Sequence, residues 1–439
     1  MALIPLNQKF HTIENSVVTE RLGSALVNSQ KEIFVTQDII DTVSAYVGLG
    51  GTQYVFVAAN GTDVQNAAEL QAAYVTAQGM SPSITNRITV IAAPGNYDFS
   101  TANFVMSTEY IDLVSLDGNK SIVFNGSNTI DITANDVFVR GVDVGTLNFT
   151  IANSLNLLRI ENCIGGTNSF GGNVIVRGTF TNCAGGDNSF GGYGKANGTF
   201  TSCTGGTDSF GGGGEIIKGI FNSCTGGDGS FGGVGGLING RFTNCIGGDY
   251  SFGGSTGNVI GTFTSCTGGD YSFGGSGGTA DGRFTNCQGG DDSFGGGSTA
   301  SGAFTNCIGG DNSFGGSNTA SGTFNSCQGG DGSFGGNGGQ ASGTFTDCQG
   351  RDYSFGGQGG TASGAFTNCI GGDRSLGGSG GTASGVFNSC QGGDRAFGLN
   401  GTLDGFLYYC RLTSGGFPTV SGSGRTVLCI DGSNNQNNQ

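Results

Sequence analysis

Ten aspartates recur at one place in a repeated phrase, Cys-x-Gly-Gly-Asp-x-Ser-Phe: Asp187, Asp228, Asp249, Asp270, Asp291, Asp311, Asp331, Asp352, Asp373 and Asp394. Thr167 and Thr207 take that place in two further copies. A row of carboxylates could do three kinds of chemistry. It could hold Ca²⁺ together with turn carbonyls, it could supply the carboxyl pair about 5–10 Å apart that glycoside cleavage needs, or it could close turns by accepting backbone N–H groups, as Asx-turns do. Distance does not single out a catalytic pair, because any two members one or two copies apart would qualify. Neighbouring carboxylates roughly 4.8 Å apart repel by about 0.9 kcal/mol even in bulk water, so something must offset the row. Turn closure within each aspartate's own turn is the expected answer, with Ca²⁺ as the alternative. Arg351, Arg374 and Arg395 interrupt the row beside Asp352, Asp373 and Asp394 and are expected to relieve the repulsion. With His11 as the single histidine and no Cys-x-x-Cys, zinc sites and serine or cysteine triads are not expected.

The elements that must position this row are themselves repeats. Cysteines fall at 163, 183, 203, 224, 245, 266, 287, 307, 327, 348, 369, 390 and 410, always 20 or 21 residues apart. So short a period marks a solenoid, in which each coil buries its apolar side only against its neighbours. Phe180, Phe200 and Phe221 stand three residues before a Cys, and Phe170 and Phe190 stand seven after one, with Leu376 replacing Phe once. In a parallel β-solenoid successive strands lie about 4.8 Å apart, so Phe180, Phe190, Phe200, Cys183, Cys203 and Cys224 begin ladders that fill the interior. Both spacings are odd, whereas inward residues on one strand are evenly spaced, so a corner falls inside each segment. The Gly-Gly pair is expected to supply positive φ at the second corner. The fold class is therefore all-β, a right-handed three-faced parallel β-helix with 20–21-residue Cys/Phe/Gly repeats.

Composition agrees with an ordered array. The chain of 439 residues has 92 Gly and 4 Pro, yet its 32 Phe are largely in register. A net charge of −15 disfavours nucleic acid and anionic membranes as partners. No run of eighteen apolar residues predicts a membrane span. Fourteen Cys could form a disulfide framework, but stacked Cβ vectors run parallel, so a ladder of buried free thiols made in a reducing compartment is expected.

Four segments follow. Residues 1–52 differ from the repeats and read as an anchor or oligomerisation segment, with a helix from Thr36 to Val47 and a hinge at Gly48-Leu-Gly-Gly-Thr52. Residues 53–159 are an irregular β-helix start, in which an amphipathic helix from Val64 to Ala77, preceded by Asp63 as cap, covers the open end. Residues 160–397 are the glycine-rich repeat. Residues 398–439 are a decaying cap and polar tail, since terminal repeats of solenoids are atypical. The order Tyr54-Val-Phe-Val, Asn66-Ala-Ala-Glu-Leu-Gln-Ala-Ala, Ile88-Thr-Val-Ile and Ala93-Pro-Gly-Asn-Tyr97 resembles the opening of pectate-lyase-like right-handed parallel β-helix proteins. Among these it is most similar to bacteriophage tailspike and tail-fibre proteins.

That resemblance implies a non-enzymatic structural protein of a virion surface, made in the host cytoplasm. It implies a homo-oligomer, a trimer or a filament, that meets other virion proteins through residues 1–52 and a host-surface glycan along its body. A polysaccharide-degrading spike and a cellular β-helix adhesin are the alternatives, the second because Phe-Thr-Asn-Cys also resembles the Phe-x-x-Asn repeat of chlamydial surface autotransporters.

Overall fold

The computed structural model describes residues 3–5, 32–34 and 53–438, apart from 129, 153–154, 215 and 418–423. The helix and hinge expected between 36 and 52 lie outside the described residues. Leu3–Pro5 and Glu32–Phe34 form a short antiparallel pair. The rest is a parallel β-solenoid of about 16 turns, with one helix near its start. It divides into two compact units, residues 1–191 with 197–205, and residues 192–196 with 206–439.

In the first unit, Gln53–Val57, Ile88–Ala92, Ile111–Ser115, Phe138–Arg140, Arg159–Glu161, Thr179–Thr181 and Thr199–Thr201 pair in parallel, each with the next. A second ladder joins Gly95–Asp98 to Ile122–Asn125 and Val142–Asp143, and a third joins Phe104–Met106, Ile130–Ile132 and Phe149–Ile151. The helix α1 (Asp63–Gly79) buries Leu70, Ala73, Tyr74 and Ala77. Tyr74 meets Phe104 edge to face at 5.4 Å, and its hydroxyl accepts the Thr108 N–H at 3.0 Å. The helix is capped by Thr62 rather than by the expected Asp63. Thr62 Oγ accepts the Gln65 N–H while the Gln65 side chain accepts the Thr62 N–H, a reciprocal capping box that leaves Asp63 in the first turn. Opposite, Arg87 binds Asp112 through Nε at 2.6 Å and Asp136 through Nη1 at 2.8 Å, so the buried Asp112 carboxylate is paired.

In the second unit the coils up to Leu403 repeat three short parallel ladders among the described residues. The first carries the Phe-centred strands, for example Arg241–Thr243 on Thr262–Thr264 on Arg283–Thr285. The second is a single bridge per coil at the residue after Cys, as in Thr225, Ile246, Thr267 and Gln288. The third pairs the two-residue strands of the variable arc, such as Thr279–Ala280 with Thr299–Ala300. This arc holds an inner column that the length variation concealed, Ile217, Ile238, Val259, Ala280, Ala300, Ala320, Ala341, Ala362 and Ala383, all fully buried.

Two Phe columns and the Cys column fill the rest. Within a column, rings lie parallel at 4.7–5.0 Å, wider than the roughly 3.5–4.0 Å of optimal carbon contact, so they are slipped rather than eclipsed. Between columns they meet edge to face at 5.5–6.0 Å and close to 90°. Offset and T-shaped pairs are the two arrangements that the ring quadrupole favours, and the rings from Phe231 to Phe345 make both.

The corners are made differently from the expectation. No glycine of the Cys-x-Gly-Gly phrase has positive φ; the left-handed residues are the one before Cys, such as Asn244 (φ 53°), usually the one after Asp, such as Tyr250 (φ 55°), the ladder Phe itself, such as Phe252 (φ 50°), and the glycine after it. The turn at Phe252 explains why adjacent Ser251 and Phe252 are both fully buried, which a flat strand forbids.

Phe273 stacks on Phe252 and Phe294 and meets Phe263 and Phe284 edge on. Phe273→Ala should therefore cost about 3–5 kcal/mol. Hydrogen exchange should localise that loss to the adjoining coils, while a change smaller than 1 kcal/mol would mean that the rings do not carry the stack.

Candidate functional site

The aspartate row is the most organised polar feature, and its bonding runs between coils. Asp249 N–H donates to Asp228 Oδ1 at 2.9 Å, Asp270 to Asp249 at 2.9 Å, Asp291 to Asp270 at 2.8 Å and Asp311 to Asp291 at 2.8 Å. The series continues through Asp331, Asp352 and Asp373 to Asp394. From Asp228 to Asp373 each carboxylate thus accepts from the backbone of the next coil, not from its own turn as expected. A hydrogen bond to a charged acceptor contributes about 1.5–3 kcal/mol before solvent screening, which offsets the estimated repulsion. Asp187 lies in the first unit, where the Asn168 N–H donates to its carbonyl at 2.8 Å.

This bonding dictates the Gly-Gly pair. A Cβ on Gly248 would lie 2.0 Å from Asp228 Oδ1, and one on Gly290 would lie 2.0 Å from Asp270 Oδ1. The first glycine faces inward: a Cβ on Gly247 would lie 2.4 Å from Ser251 Oγ. One glycine makes room for the carboxylate, the other for a buried serine column that sequence reasoning passed over. The signal was the Ser that precedes the ladder Phe or Leu in every copy but the last, where Ala396 stands. Several of these hydroxyls donate three residues back, as Ser293 does to the Gly290 carbonyl at 2.7 Å.

Arg351 tests the rule, since it occupies the second glycine position. There the Asp352 N–H to Asp331 Oδ1 bond lengthens to 3.2 Å, and Arg351 N–H to the Gly330 carbonyl reaches 3.4 Å. Gly330 is buried, whereas Gly290, Gly310 and Gly372 are half-exposed. The three arginines do not act alike. Arg395 pairs with Asp394 at 3.4 Å. Arg374 lies over the Tyr353 ring at 5.4 Å and donates to its hydroxyl. Arg351 forms no ion pair among the described residues.

Outside the glycines stands an exposed column, Gln288, Ile308, Gln328, Gln349 and Ile370. Between it and the aspartates only Arg351 carries a side chain, so elsewhere the two glycine columns floor a trough. Around Gly309, Gly310, Gly329 and Gly330 it opens into a depression of about 440 Å³, bordered by Asp291, Asp311, Gln328, Gln349 and Arg351. Tyr250 and Tyr271, each following a ladder aspartate in the chain, stack at 5.0 Å. Burial first, then the Asp291, Asp270 and Asp311 charges, push the Asp292 carboxyl up.

The cysteines form no disulfide, and all fourteen are free and buried. Each Sγ is placed against carbonyls, as Cys369 is against Thr367 and Phe345, both at 3.4 Å. Burial first pushes the Cys183 thiol well up, and the Cys224 thiol first, then burial, raises Cys245 to about 12. Those two thiols stay protonated and inert at neutral pH, whereas the Cys410 thiol first lowers Cys429 to about 7.

Among the described residues no group of three or more His, Cys, Asp or Glu side chains is gathered to hold a metal ion, and no helix is long and apolar enough to cross a membrane. Comparison with protein-family models, with curated proteins and with solved structures returned no match.

Two outcomes follow from this geometry. Asp270→Asn keeps the acceptor and removes a charge, so its melting temperature should stay within a degree or two of the parent or rise, whereas Asp270→Ala should lower it; equal losses would show that charge, or a bound Ca²⁺, rather than the inter-coil bond is what matters. A thiol reagent should label none of the fourteen cysteines in the native protein and all of them in denaturant, and rapid native labelling would contradict the ladder's burial.

Proposed function

We propose that this protein is a structural, non-enzymatic component of a virion surface, a β-solenoid of the tail-fibre or tailspike kind that displays its faces for attachment to host-surface glycans. The observation that carries the reading is the unbroken inter-coil bonding. From Asp228 to Asp394 each coil presents the same acceptor to the next, and the ladders show none of the local rearrangement with which a catalytic centre departs from its scaffold. The departures at Arg351 and Leu376 replace one side chain each and leave the ladders in register. A stiff repetitive surface suits multivalent contact, in which weak sites add through high effective concentration.

The free thiol column fits synthesis in a reducing cytoplasm, and the reading includes self-association of the chain, a trimer or a filament, with residues 1–52 joining other virion proteins. The reading needs no calcium, because a backbone N–H already offsets the charge of each bonded aspartate.

Electron microscopy and solution mass of the full-length protein should show a closed oligomer or end-to-end filaments, and incubation with polysaccharides should release neither reducing ends nor unsaturated sugars. A strict monomer would shift the reading towards a cellular adhesin, and release of reducing ends would replace it with a polysaccharide-degrading spike.

A further inference from the structure

We infer that the outward side of the first ladder, from Gln53–Val57 to Phe138–Arg140, is the seat of a short acidic amphipathic helix, and that its occupant is the chain's own segment from Thr36 to Val47. The inference does not depend on the attachment reading above.

Register fixes which side chains point outward. Val55, Val90, Leu113, Val139, Ile160 and Phe180 follow one another along the inner column. The residues on either side of them therefore point away from the interior: Tyr54, Thr89, Asp112 and Phe138 in one column, and Phe56, Ile91, Val114 and Arg140 in the other. Farther along the same unit these columns reach Arg159 and Thr179, which are exposed, and Glu161 and Thr181, which are half-buried. In the earlier coils they are sealed. Thr89, Ile91, Asp112 and Val114 are at most 2% exposed and Phe138 is 5% exposed.

Outward positions as dry as the core need a cover. Arg87 binds Asp112, and Arg159 lies over the Phe138 ring at 4.7 Å, which accounts for those two. The helix α1 does not cover the rest, because its Tyr74 meets Phe104, an inner residue of the third ladder. Ile91 and Val114 ask for an apolar surface above them. Between their column and Asp112, the Thr89 Oγ1 is buried and has no hydrogen-bond partner among the described residues, so it asks for a polar group from the same cover.

Continuity, length and charge select the occupant. Thr36–Val47 is joined by residues 48–52 to Gln53, which opens this very ladder, and Gly48-Leu-Gly-Gly lets the chain turn back. A helix of twelve residues is about 18 Å long, against about 14 Å for the three strand spacings from Val55 to Val139. Ile39, Ile40, Val43, Tyr46 and Val47 recur at the helical period and offer one apolar face. Asp38 and Asp41 are the charged residues of the segment, and Arg87, Arg140 and Arg159 border the seat, so the charges are complementary. Seated there, the segment would couple the residues before it firmly to the first coils instead of tethering them.

Hydrogen exchange on the full-length protein is the test. Amides of residues 36–47 should exchange at least about tenfold more slowly than in a synthetic peptide of that sequence. Ile91→Thr with Val114→Thr, which gives this column the residue it carries at Thr181 and Thr201, should remove that protection and leave the repeats from Cys163 onward unchanged. Ile39→Ser with Val43→Ser, made outside the solenoid, should do the same. Peptide-like exchange in the parent protein, or protection that ignores the substitutions at Ile91 and Val114, would overturn the seat. Val43→Cys with Glu161→Cys, treated with a short bis-maleimide while the native thiols stay buried, should yield a bridge within one chain. A bridge between two chains would overturn the own-chain occupant and assign the seat to a second copy.

Discussion

In-register stacking of like on like is the constraint on which this protein depends. A parallel coil meets the next at the distance of neighbouring β-strands, so each side chain must tolerate a copy of itself about 4.8 Å away. Phe meets this by slipping, as at Phe242 and Phe263, and by turning its edge to the other column. Cys meets it as a small, weakly polar group that needs no partner beyond a carbonyl. Asp, whose copies repel, meets it only because the carboxylate reaches forward to the next backbone N–H. The glycines are the price of that reach.

Polar and apolar columns are therefore one design rather than a core with a decorated surface. Removing the space at Gly248 would push out Asp228 Oδ1 and filling it at Gly247 would push out Ser251, so each coil's inside and outside are fixed by the same two residues. Arg351 shows how far the rule bends: its neighbours' bonds stretch by a few tenths of an ångström, and the ladders survive.

Much of this was legible from the sequence because period and composition carry it. The 20–21-residue step of the cysteines, the Phe registers and the odd spacings led to a three-ladder solenoid, to free stacked thiols and to corners in the right segments. What the sequence concealed was conformational. Gly-Gly is a familiar sign of positive φ, yet here it marks close approach, and the left-handed turns fall on Asn244, Tyr250 and Phe252, a choice that only packing enforces on a Phe. The direction of the aspartate bonds was equally hidden, since an Asx-turn and a bond to the next coil use the same residue in the same phrase. The trough could have been suspected, because Gln or Ile, two glycines and Asp recur together, but its floor becomes a surface only when coils are stacked.

The left-handed Phe has a bearing on how the chain is made. An L-residue in that region carries a penalty of roughly 1–2 kcal/mol, and from Phe170 onward nearly every coil contains such a Phe beside two or more other left-handed residues. A solitary coil has no neighbour against which to recover that energy. Each must be laid onto a coil already in place. The stretch from Gln53 to Ile160 carries no Phe of this kind among its described residues, has an interior of Ile, Val and Leu with a cluster of Phe99, Phe104 and Phe124, and packs against α1. It leaves the ribosome before the repeats, and so offers the first of them a neighbouring coil.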